Sequence, residues 1–267
     1  MKIDNELIEK IKNDGRAVVN NVIKKENLDF CKEIINKNQA YSKSESIVIP
    51  VLQSSLAIKL LKLQFKKIFD SFKLIKISKN LKLQEHSDKV FRQKTCLDSI
   101  DLYMSKKSND LILPWHCDQA YSGKIVTKNT HPSEGFLKFF FYLTDVGSNN
   151  GCLGYIPKSH TLTYCLKICF YNNELKYEPF WKLSDMRKLV SKDYVRDKLK
   201  KYLKSEVIDE FMINSNFVEK GNKDTYEYDL KADAGDVVIF NELGFHRAAS
   251  PAKNDRYALR YFYKKIN

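Results

Sequence analysis

Nowhere in the 267 residues do eighteen apolar side chains run together, so no conventional membrane-spanning helix is expected. The opening stretch, MKIDNELIEKIKNDG, mixes charges with apolar residues at helical spacing. It lacks the apolar block and cleavage site of a secretory leader. The six cysteines, at 31, 96, 117, 152, 165 and 169, contain no CxxC and no small-domain disulfide spacing. Reduced thiols, mostly in the core of a cytoplasmic protein, are the expectation. A zinc site from Cys165, Cys169 and His160 fits the usual ligand spacing poorly. Neither an internal repeat nor a low-complexity linker divides the chain, which is read as one domain, 1–267. Histidine is scarce, with five residues at 86, 116, 131, 160 and 246.

Basic residues outnumber acidic ones by 46 to 33, for a formal charge of +13. Only seven of the 46 are arginines, and the lysines are dispersed, with no basic arm and no stripe interleaved with aromatics. That pattern argues against a dedicated nucleic-acid surface. It is compatible with steering of an anionic small molecule.

Apolar spacing organises the chain into three parts. Residues 4–13 present Leu7, Ile8 and Ile11 on one helical face, a turn follows at Asp14-Gly15, and a strand runs through Val19. A second helix carries Leu28, Cys31, Ile34 and Ile35, and the text after Pro50 reads as a longer amphipathic helix. From 72 to 160 the period changes to two in FKLIKIS, SIDLYM, LKFFFYL and GCLGYIP, which read as short strands. Residues 161–220 return to helical text, and the closing segment supplies two or three more strands. Strands split around a helical insert of about 161–220, with helices outside, predict an α+β fold on a double-stranded β-helix (jelly-roll) core.

The stretch LPWHCDQAYSG, 113–123, sets His116 and Asp118 two apart. On a strand they share a face while Cys117 turns away, so an imidazole and a carboxylate can grip one metal ion side by side. A distant histidine would complete two histidines and one carboxylate, the facial set of non-haem Fe(II) oxygenases, which leaves three coordination positions open. His86 lies in polar text, LQEHSDK, where exposure is expected. His131 precedes a proline in a loop, and His160 ends GYIPKSH. His246, between the apolar strand GDVVIF and RYALRYFY, is the best placed of the four. Arg256 and Arg260 share strand parity beyond it, and a buried arginine needs an anion such as a carboxylate.

Four ordered segments, LIEKIKNDGRAVVNNVIKKENLDFCKEI, LPWHCDQAY, NNGCLGYIPKSH and AGDVVIFNELGFHRAASPAKNDRYALRY, resemble those of the phytanoyl-CoA dioxygenase family of Fe(II)- and 2-oxoglutarate-dependent oxygenases. The resemblance implies that His116, Asp118 and His246 bind iron and that Arg256 holds 2-oxoglutarate, with Arg260 as the alternative. It further implies a cosubstrate contact from Phe140 and O2 as co-reactant, while Tyr103 is the candidate to replace the cosubstrate hydrogen bond of the family hydroxyl that this chain lacks. The chain differs from the family at Ala248, often a small hydroxyl residue, and at Lys158, usually glycine. Halogenating relatives lose the acidic ligand, so the intact Asp118 implies hydroxylation or a related oxidation of a small-molecule substrate. Gln119, Tyr121 and Arg247 are the candidate substrate residues. Two rival readings are a cosubstrate-free, cupin-like metal oxygenase and a Lys-rich nucleic-acid or partner-binding protein on a degenerate oxygenase fold.

Overall fold

The computed structural model describes residues 3–39, 46–53, 65–118, 135–219 and 227–266. Four helices precede the main strands: α1 (Asn5–Asp14), α2 (Lys25–Gln39), α3 (Phe65–Asn80) and α4 (Leu83–Phe91). Asp4 caps α1 by accepting from the Leu7 N–H at 2.8 Å. Gly15 ends it at φ 79°, a left-handed position that glycine adopts without a Cβ penalty.

Six antiparallel strands form one sheet: β1 (Arg16–Val19), β8 (Val237–Asn241), β5 (Phe136–Tyr142), β10 (Arg256–Lys265), β3 (Thr95–Ser105) and β2 (Ser46–Gln53), in that order. Four more form a second sheet, ordered β4 (Leu113–His116), β9 (His246–Ala248), β6 (Leu153–Tyr155) and β7 (Asp229–Leu230). Alternation decides which side of the larger sheet each residue serves. Leu137, Phe139 and Phe141 of β5, with Val237, Ile239, Leu259 and Tyr261, pack against the N-terminal helices. Phe140 and Tyr142, with Val238, Phe240 and Ala258, instead meet Leu153 and Tyr155 of the smaller sheet. The polar side chains Asp101, Lys138, Arg256 and Arg260 share parity with this second set, so they line the space between the sheets.

Between β6 and β7 the chain runs through α5 (Ser159–Tyr171), α6 (Leu183–Val190), α7 (Asp193–Leu199) and α8 (Ser205–Glu219). Leu162, Leu166, Phe180, Met186, Leu199, Ile208 and Phe211 build a separate apolar cluster here, which also takes in Cys117 and Phe245. Those two residues flank the metal-site candidates, so the insert is packed directly behind the site.

Four expectations from the sequence need correction. Pro50–Gln53 belongs to a strand; β2 lies at the sheet edge, where proline's missing N–H is tolerated, and a register shift marks the position. FKLIKIS lies within helix α3, where Leu74, Ile77 and Ser78 form a buried face at helical spacing. Its β-branched residues mimic a strand, but packing against the sheet decides the conformation. His86 is buried, because Leu83, His86, Ser87 and Val90 form the inner face of α4. The C-terminal segment holds four strands rather than two or three.

Candidate metal centre

β4 and β9 are antiparallel neighbours with His116 directly opposite His246. Their imidazole rings lie 4.4 Å apart between centroids. Each ring is oriented by a carbonyl two residues earlier in the chain: His116 Nδ1 lies 2.7 Å from the Pro114 oxygen and His246 Nδ1 2.9 Å from the Gly244 oxygen. These acceptors assign the proton to Nδ1 in both rings, which leaves each Nε2 with a free lone pair. Both lone pairs face Asp118, just beyond the end of β4. Oδ1 lies 3.2 Å from His116 Nε2 and Oδ2 lies 3.5 Å from His246 Nε2.

Among the described residues these three form the one group of histidine, cysteine or acidic side chains arranged to hold a metal, their donor atoms lying within 4.8 Å of one another. Two imidazole nitrogens and a carboxylate that face one another at these distances form a donor set that a cation between them would satisfy. Two imidazoles and one carboxylate match the ligand preference of non-haem iron. Burial disfavours the charged form of Asp118, but neighbouring positive charge, that of Lys138 first, outweighs it and holds its carboxyl well below the usual range. Burial lowers the pKa of His246, which keeps its ring neutral and able to ligate.

Arg256, at the start of β10, is buried on the side of the larger sheet that faces the smaller one. Its Nη1 donates to the Gly151 carbonyl at 2.8 Å, whereas its Nε has no hydrogen-bond partner. Among the described residues no carboxylate pairs with it. Its guanidinium carbon lies 4.9 Å from the Tyr103 ring centre and 5.6 Å from that of Phe140. Gly151, at φ 75°, makes room for it, since a Cβ there would lie 2.8 Å from Arg256 Cδ. Arg260 also points between the sheets but is already taken: its Nε and Nη2 donate to both oxygens of Asp101 at 2.5 and 2.9 Å.

The model of the family described as "Phytanoyl-CoA dioxygenase (PhyH)" matches residues 11–255. The chain belongs to the phytanoyl-CoA dioxygenase family. As a PhyH-family member it is an enzyme of the 2-oxoglutarate-dependent non-haem iron oxygenase class, with iron as cofactor and 2-oxoglutarate as cosubstrate. Among solved structures it is similar to HygX from Streptomyces hygroscopicus with nickel and 2-oxoglutarate bound. The two share 14% identity at a TM-score of 0.54, over 99% of this chain and 88% of that one. It is also similar to SnoK, a non-haem alpha-ketoglutarate-dependent carbocyclase from nogalamycin biosynthesis, at 14% identity and a TM-score of 0.56 over 98% and 84% of the two chains. A third is AviO1 from Streptomyces viridochromogenes Tue57, at 14% identity and a TM-score of 0.54 over 99% and 96%. At such identities the likeness is one of fold. Comparison with curated proteins finds no match.

The remaining candidates of this PhyH-family chain have varied fates. Gln119, Tyr121 and His131 lie outside the described residues. Arg247 faces away from His246 on β9; its Nη2 donates to Asp229 at 2.7 Å, and Trp115 lies over it. His160 Nε2 donates to the Lys12 carbonyl at 3.0 Å, fastening α5 to α1, and burial lowers its pKa to about 4. Lys158 adopts φ 61°, the left-handed backbone for which the family usually uses glycine. Within the helical insert, Phe170 and Phe180 pack its core, whereas the Trp181 ring lies 6.0 Å from that of His116. No helix among the described residues is long and apolar enough to cross a membrane.

Sequence reasoning missed Lys138, Glu242, Gly151 and Gly244. Lys138 was visible as the one charge in FLKFFFY, two residues before Phe140 and so on the same face. Its Nζ contacts Asp118 Oδ2 and lies 3.1 Å from Glu242 Oε2. Burial works against this ammonium, and the two carboxylates more than restore it, raising its pKa. Gly244 supplies the carbonyl that orients His246, and a Cβ there would lie 1.9 Å from the Tyr155 hydroxyl.

Proposed function

We propose that the chain, as one domain over 1–267 on a jelly-roll core with a helical insert at about 161–220, hydroxylates or otherwise oxidises a small molecule in the cytoplasm. His116, Asp118 and His246 hold Fe(II), and Arg256 pairs with the distal carboxylate of 2-oxoglutarate. The observation that carries this reading is the buried Arg256 guanidinium, which shares the intersheet space with the triad and has no carboxylate of its own. Leaving such a charge buried and unpaired costs several kcal/mol, roughly 3–5. A dicarboxylate removes that cost, and the two ring faces of Tyr103 and Phe140 define the approach to it.

When bound, iron and 2-oxoglutarate together supply the oxidation, converting cosubstrate and O2 to succinate and CO2 while the substrate is oxidised. The chain's own contribution is orientation. The carbonyls of Pro114 and Gly244 keep each Nε2 aimed at the metal position, a function that outer-layer partners commonly serve. Phe240, 5.1 Å from the His246 ring, walls off the apolar side and limits access of water. Gln119 and Tyr121, next in the chain after Asp118, are proposed to meet the substrate. Arg247 is omitted because Asp229 already holds it.

The pairing of Arg260 with Asp101 favours Arg256 as the cosubstrate anchor. A buried arginine with no carboxylate partner among the described residues also argues against the cosubstrate-free reading, which has no use for one. The formal charge of +13 favours an anionic substrate through long-range steering. HygX has been crystallised with nickel, 2-oxoglutarate and hygromycin B, which shows a small molecule accepted on a similar fold. The test is anaerobic titration with Fe(II) and 2-oxoglutarate, watching for the visible metal-to-cosubstrate charge-transfer band. Wild type should develop the band, His246→Ala should lose it, and Arg256→Ala should require far more 2-oxoglutarate. Absence of any band or binding in wild type sinks the proposal.

A further inference from the structure

Both oxygens of Asp118 face the imidazole pair, one towards each ring, so a metal held between the rings is within reach of both. Nothing in the triad itself stops the carboxylate from offering two donor atoms. Lys138 does. Its ammonium, on a side chain only 11% exposed, contacts Oδ2 and bridges to Glu242, which is itself 3% exposed. Glu242 is held in place in turn, its Oε1 accepting from the Phe136 N–H at 3.1 Å. The bridge therefore occupies one oxygen of Asp118 and restrains a second buried carboxylate beside the triad.

Resting on the iron site proposed above, we infer that Lys138 is a positioning residue that limits the protein to three donor atoms. Without it, Oδ2 of Asp118, and Glu242 with modest movement, become additional oxygen donors to a dication. An octahedral ion has six positions, and the facial set leaves half of them for cosubstrate and oxygen. Each extra protein oxygen removes one. Charge supports the same assignment: Asp118 and Glu242 bring two negative charges and Lys138 one positive, so Lys138 weakens the pull on the metal while keeping the site open. A lysine serving only to strengthen metal binding would be misplaced, because its charge opposes that of the ion.

The experiment compares wild type with Lys138→Met, Lys138→Arg and the double variant Lys138→Met/Glu242→Gln. Co(II) affinity is read from the ligand-field spectrum, and 2-oxoglutarate affinity from the Fe(II) charge-transfer band at saturating metal. Lys138→Met should bind Co(II) about tenfold more tightly or better, and 2-oxoglutarate about tenfold more weakly. In the double variant the two removed charges cancel, so a remaining gain in Co(II) affinity reports the freed Oδ2 alone. It also avoids stranding a buried carboxylate, and so decides the matter if the single variant does not fold. Lys138→Arg, which retains a donor to both carboxylates, should behave as wild type. Co(II) binding at or below the wild-type affinity in a folded variant lacking Lys138, or 2-oxoglutarate binding unchanged in it, overturns the inference. The Co(II) measurement needs no cosubstrate. A wild type without the charge-transfer band therefore counts against the proposed function, while the role of Lys138 is still decided by metal affinity.

Discussion

Replacing His160 by glutamine should flatten the acid limb of the protein's stability curve. The ring donates through Nε2 to the Lys12 carbonyl, while Nδ1 is buried with no partner and points at the Gly15 turn. Protonation would place an N–H at Nδ1 where nothing accepts it, which is why burial lowers the pKa from 6.5 to about 4. The sign follows: between those values the unfolded chain binds the proton and the folded chain does not. Stability is therefore fully present above about 6.5 and falls as the pH drops through the window towards 4. A displacement of this size is worth about 3 kcal/mol once complete, and about 2 kcal/mol of it is lost between roughly pH 7 and pH 5. Glutamine retains a donor for Lys12 but does not titrate. Urea unfolding of both proteins at several pH values isolates the difference. Wild type should lose about 2 kcal/mol more than His160→Gln over that interval, and parallel curves would refute the buried neutral imidazole.

Arg256→Leu should raise the 2-oxoglutarate dissociation constant about 100-fold or more while leaving Co(II) affinity nearly unchanged, as read by equilibrium titration. Arg260→Leu should instead strand Asp101 and lower the melting temperature, with cosubstrate affinity altered by no more than about threefold. Gly244→Ala should destabilise the fold by about 3 kcal/mol in urea unfolding, because its methyl group collides with Tyr155, and should weaken metal binding through the displaced carbonyl behind His246. Phe180→Ala, at a fully buried position in the insert, should cost about 4 kcal/mol by the same assay.

Much of this architecture was legible because apolar spacing reports burial. α1, α2, β3, β5, β6 and the helical insert each show the period of the element they form. Expectation failed where one period imitates another. FKLIKIS contains enough β-branched residues to suggest a strand, and only its packing against the sheet shows that Leu74 and Ile77 share a helical face. LQEHSDK looked exposed because three of its side chains are charged, yet the one histidine lies on the inner face of α4. At the site, the two histidines and Asp118 could be read from spacing and strand context. The resemblance already put Arg256 ahead of Arg260, but that Asp101 lies across the β3–β10 pair and occupies Arg260 could not be read from spacing. Lys138 and Glu242 are ordinary charges in sequence, and their bridge to Asp118 exists only once β5 and β8 are paired.

β4 carries His116 at the edge of its sheet, with β9 on one side only. On its other side the insert completes the pairing: His116 forms a bridge with Lys182, and the Cys117 N–H donates to the Trp181 carbonyl at 3.1 Å. An unpaired strand edge invites association with another chain, and here two residues of the insert block it. Chimeras that exchange the whole of 161–220 with a relative would therefore remove the edge guard along with any selectivity. Grafts that leave Trp181 and Lys182 native have the better prospect of staying monodisperse with the first histidine in place.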